Sequence, residues 1–138
     1  MSIVSAIETL LEADATLVAI LTGGIHDTGE ITRQLAPAAF NANNEIKPCA
    51  LLKSSNELAM QNKIQAVQTP LVIYLYQRSG YTAIDAALAR IHTLLEQLHI
   101  GTSSVWEVQF NSEIARTVDE GLKCPMAVQR WNLIRKRA

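Results

Sequence analysis

His92, Glu96 and His99 lie four and then three residues apart, in a stretch where Ile84, Leu88, Ile91, Leu95 and Leu98 recur at helical spacing. At 3.6 residues per turn the three polar side chains share one flank of such a helix, with Asp85 two turns earlier on it. Two imidazoles and a carboxylate can hold zinc or a similar ion. No neighbouring motif supplies a further ligand, so the flank reads instead as a polar rim beside the core stripe or as a subunit contact. We expect no metal and no cofactor.

Other chemistry leaves still fainter traces. The chain has no GxxxxGK[ST] loop, no GxGxxG after a strand, no HExxH and no GxSxG. Its serines, histidines and aspartates stand at no informative spacing, and a triad is recognised by geometry rather than by order. An enzyme is not expected. Cys49 and Cys124 fall in no CxxC or metal spacing, so free thiols are the expectation; a disulfide would need their strands to be adjacent. Arg130, Arg135, Lys136 and Arg137 crowd one end of the sequence. Without interleaved aromatics they make a weak nucleic-acid footprint, and read instead as a solvated end or as partners for a neighbour's acids. Trp106 and Trp131 read as core or interface anchors, each needing one hydrogen-bond partner.

These residues must be positioned by a single domain, the size that 138 residues allow. Hydrophobic residues make up 49%, a globular composition, and the net charge of −1 gives no general attraction to nucleic acid. The charged fraction of 18% is low and leaves surface that other subunits can cover. No apolar run reaches bilayer-spanning length, and no membrane partner is expected. Residues 1–14 lack a basic leader and carry Glu8 and Glu12 inside the apolar pattern, so they read as a helix and not as a signal peptide.

Periodicity then orders the elements. Ile3, Ile7, Leu10 and Leu11 predict a first helix. Asp14 caps a second, with Leu17, Ile20 and Leu21 on one face and Gly23-Gly24 at its end. Residues 24–47 and 54–69 are polar, without sustained period, and read as long loops or hairpin arms, the first with room for a short strand near Ile25 or Phe40. Residues 49–52 and 71–76 predict strands, the second apolar on both faces and therefore central. Thr82, with Asp85 three residues on, predicts the cap of the helix that carries the leucine stripe. Residues 105–110 alternate as a half-buried strand. Residues 111–123 read as a polar loop, and 126–134 as a final strand with a bulge near Gln129 and Arg130. The fold expected is α+β: one domain, an about four-stranded, mostly antiparallel sheet, helices on one face and long arms.

This layout resembles the tail terminators and tail-completion proteins of phages. The likeness rests on a helix pair with a glycine turn (residues 2–24), a strand opening at Pro48, a strand and its crossing helix (71–76, then 82–99), and a strand, polar loop and final strand ending in basic residues (105–110 and 126–137). It covers nearly the whole chain and rests on order, not on an exact motif. It implies a structural virion protein: a homo-oligomeric, hexameric ring that caps the tail tube, joins the tail to the head connector and lets DNA through its lumen without specific binding. It implies assembly in a host cytoplasm and a final place in the virion neck. A head-closure or adaptor protein is the alternative, and a small metal-dependent enzyme on the His92 flank a more distant one. The arms carry both charge signs, so Glu30, Arg33, Glu45, Lys47, Glu57 and Lys63, with Arg135, Lys136 and Arg137, are the candidate assembly contacts.

Overall fold

Ile7 and Leu11 lie one turn apart and are fully buried, because the first helix, α1 (Ile3–Glu12), presents that stripe to the sheet beneath it. The computed structural model describes residues 3–54, 58–59, 66–96, 99–100 and 106–136. After α1 come α2 (Ala15–Ile20), β1 (Ile25–His26), a 3-10 turn (Pro37–Ala39), β2 (Cys49–Ser54), β3 (Leu58–Ala59), β4 (Ala66–Tyr76), α3 (Thr82–Leu95), β5 (His99–Ile100), β6 (Trp106–Asp119) and β7 (Cys124–Lys136). The sheet order is β1-β2-β4-β7-β6-β5, with β3 pairing β4 off that path. Four long strands, β2, β4, β7 and β6, pair antiparallel, while the two-residue β1 pairs parallel to β2. The fold is α+β, as expected.

The helix-side core follows the period-2 rule strand by strand. Ala50 and Leu52 on β2, Leu71, Ile73 and Leu75 on β4, and Ala127, Trp131 and Leu133 on β7 face Ile84, Leu88, Ile91 and Leu95 of α3. Leu98 of the expected stripe lies outside the described residues. Asp14 caps α2 as expected, accepting from Leu17 N–H at 2.9 Å, and also holds Arg90 of α3 at 2.6 Å. Thr82 does not cap α3. Gln77 does so from outside the helix, its Oε1 accepting from Ala83 and Ile84 N–H at 2.9 and 3.1 Å. Gly23 ends the helix pair at a close approach: its N–H donates to Pro48 O at 2.7 Å, and a Cβ there would lie 2.9 Å from that oxygen.

Two further expectations need correction. Residues 24–47 are not a projecting arm. They fold over the second face of the sheet, burying Ile31, Ala36, Ala39 and Ile46 against Cys49, Leu51, Tyr76 and Cys124. Strands apolar on both faces need a second cover, and this segment is that cover. Its asparagine cluster makes a tight turn: Asn41 Oδ1 accepts from Asn43 and Glu45 N–H, and Phe40 bridges Ile46. Residues 111–123 are not a loop either. β6 continues to Asp119 and only residues 120–123 turn, so β6 and β7 form a long hairpin. The bulges fall on β6, between Phe110 and Ser112 and between Ile114 and Thr117, opposite the stretch of β7 where the alternation is imperfect. The 54–69 segment is a hairpin arm as expected, with Leu58 and Ala59 of β3 paired antiparallel to Gln68 and Val67 of β4.

Candidate assembly surfaces

The shared helix flank of His92, Glu96 and His99 does not form. α3 ends at Leu95, so His99 is not on the helix; it sits in β5 opposite Glu107. Asp85 turns to Arg116 of β6 at 2.8 Å. His92 and Glu96 remain together at 3.2 Å, and the imidazole packs 5.0 Å from the Phe110 ring and 5.5 Å from Trp131. No group of three or more potential ligands lies within reach of one ion among the described residues. The helix ends earlier than its apolar stripe suggests, and the spacing loses its geometry with it.

The candidate assembly residues are scattered. Glu30 and Arg33 are exposed on the outer layer. Glu45 is held by Arg78 at 2.6 Å, and Lys47 is half-buried. Arg135 is half-buried opposite Val67, and Lys136 ends β7. Glu57, Lys63 and Arg137 lie outside the described residues. The two thiols stand on β2 and β7 with β4 between them, and both are free and buried. Burial pushes Cys49 up to about 12 and Cys124 to about 11, so neither is a ready nucleophile.

Three features had no local signal in the sequence. The first is the open edge of β6. Among the described residues β5 covers it only at Trp106 and Glu107, and along the rest Phe110, Ile114 and Val118 are exposed apolar side chains. An uncovered edge with apolar side chains invites another chain. The second is an acidic cluster: Glu8 of α1 lies near Asp27 and Glu12, and burial followed by Asp27 raises its carboxyl to about 7. By contrast, Asp14 is lowered to about 2, first by its hydrogen bond to Arg90. The third is a cavity of about 450 Å³ on the outer face, between the 24–47 layer and the β6–β7 turn. Glu30, Lys53, Tyr74, Tyr76 and Asp119 line it, with Lys53 Nζ 5.7 Å from the Tyr74 ring centre. Tyr76 is only 5% exposed, and burial followed by the Asp119 charge pushes its phenol pKa up.

No protein-family model and no curated protein matches this sequence. A chain of the solved structure titled "Virion of native gene transfer agent (GTA) particle" is similar in fold, with a TM-score of 0.67 at 14% identity, over 99% of this chain and 99% of that one.

Proposed function

We propose that this chain is a structural subunit of a phage-like virion, and within it a tail-terminator-like protein. It would form a ring that caps the tail tube and meets the head connector, with DNA passing through the lumen. The observation that carries the reading is the fold likeness, an end-to-end match to a chain of a gene transfer agent virion. The open β6 edge and its exposed Phe110, Ile114 and Val118 support it, since an assembling subunit leaves such surface for its neighbours. Closed rings need complementary patches on different sides of the subunit, and this molecule has two unlike faces and two unlike sheet edges.

Electron microscopy of the purified protein tests the ring directly, and mass spectrometry of purified particles tests the place. Rings, together with copies of the chain in tailed particles, are the expected result. A chain that stays monomeric at high concentration and is absent from particles would overturn the reading.

A further inference from the structure

We infer that a cationic groove on the outer face receives the acidic patch formed by Glu8, Glu12 and Asp27 of a second copy of this chain. The inference deepens the ring reading and rests on it. The groove, of about 410 Å³, lies between the 40–46 turn and the β6–β7 turn. Its floor is apolar, since Ile31, Ile46 and Cys124 belong to the smaller core. Arg33, Arg78 and Lys123 line it against a single carboxylate, Glu45, and Arg78 already holds that one at 2.6 Å. Arg33 and Lys123 are exposed and pair with no acid among the described residues. Lys123 stands at φ 54°, in the left-handed region where a lysine is uncommon. The β6–β7 turn thus holds this cation at the groove at a backbone cost that glycine would avoid.

The acidic patch shows the converse imbalance. Glu8 lies near both Asp27 and Glu12, and none of the three pairs with a cation among the described residues. Carboxylates gathered this way repel one another, and cations brought from outside offset that repulsion. Groove and patch are therefore opposite in sign, and each is uncompensated within the subunit. The subunit cannot join its own two. α1 packs Ile7 and Leu11 on the helix side of the sheet, whereas the floor of the groove belongs to the core on the other face. With the sheet between them, the α1 acids reach a groove only in another copy. Unlike, complementary patches on opposite faces are what a head-to-tail contact between identical subunits requires.

Sedimentation velocity on the full chain tests this with two reversed-charge variants. One carries Arg33→Glu with Lys123→Glu, the other Glu12→Lys with Asp27→Lys. Each alone sets like charge against like, and should self-associate about tenfold or more weakly than the wild type. Mixed in equal amounts the two should regain association, because each groove then meets a patch of opposite sign. A neutral variant, Arg33→Gln with Lys123→Gly, guards against misfolding, since glycine suits the left-handed backbone at residue 123. It should melt no lower than the wild type and still associate about tenfold more weakly. Association undiminished in these variants would overturn the inference and leave the ring reading standing, and so would a mixture of the two reversed chains that stays monomeric. A wild-type chain that stays monomeric would overturn the inference and the ring reading together.

Discussion

Gln129 is the residue on which the middle of the sheet turns. It is fully buried among apolar neighbours, and both polar atoms of its amide are used. Its Oε1 accepts from Trp131 Nε1 at 2.9 Å, and its Nε2 donates to Glu113 Oε1 at 2.8 Å and to Leu88 O at 3.3 Å. Gln129→Leu keeps the volume but strands the indole N–H in the core. A loss of about 1–3 kcal/mol is expected in urea denaturation; wild-type stability would show that the network is dispensable. Glu8 sets a different test. Its folded carboxyl is raised from 4.5 to about 7, so the folded state keeps a proton that the unfolded chain has lost. That stabilising contribution is complete below about pH 4.5 and is lost as pH rises through about 7. Thermal melts at about pH 5 and about pH 8 should therefore differ more for the wild type than for Glu8→Gln. Parallel behaviour of the two would mean that Glu8 is not strained by Asp27 and Glu12.

At the scale of elements, α3 binds the molecule together. Ile84, Leu88, Ile91 and Leu95 are buried along its length, and the helix touches β4, β7 and β6. It is also tied to α2 through Arg90 and Asp14, and to β6 through Asp85 and Arg116. Leu88→Ala or Leu95→Ala should cost about 2–5 kcal/mol, the range for truncating a buried leucine. An unchanged melt in both variants would take α3 out of the core. The β6–β7 hairpin behaves differently. β7 is buried between β4 and β6, whereas among the described residues β6 is covered on its outer edge only at its start, and its two bulges lie where it passes α3. Bulges twist an edge and so restrain indiscriminate pairing, while Ile114 and Val118 still offer apolar contact.

Taken as a whole, the molecule is a sheet clad unequally: helices on one face, and on the other a partial layer of irregular chain with a cavity at its margin. The cladding seals both cysteines into the smaller core, two strand positions apart. The native protein should therefore leave both thiols unlabelled by a maleimide, and denaturation should expose two per chain, with no shift in melting on adding reductant. Rapid labelling of the folded protein, or a reductant-sensitive melt, would contradict this packing.

Much of this architecture is carried by local periodicity. The stripes of α1 and α3, the Asp14 cap and the central place of residues 71–76 all follow from spacing, because a helix or a two-sided strand imprints its period on adjacent residues. Other features have no period to read. Ile31, Ala36, Ala39 and Ile46 become a core layer only because the chain lays them on Cys49, Leu51 and Tyr76. Residues 111–119 look like loop because an edge strand with an uncovered side needs few apolar residues. His99 leaves the helix flank because the helix stops at Leu95, an end that apolar spacing does not mark. The open edge, the acidic cluster and the cavity join residues far apart in the chain, as Glu30 and Asp119 are. Sequence determined which segments could be helix or strand and which residues wanted burial; only tertiary structure decided which surfaces met and which were left open, because burial is satisfied by whichever partner the fold brings near.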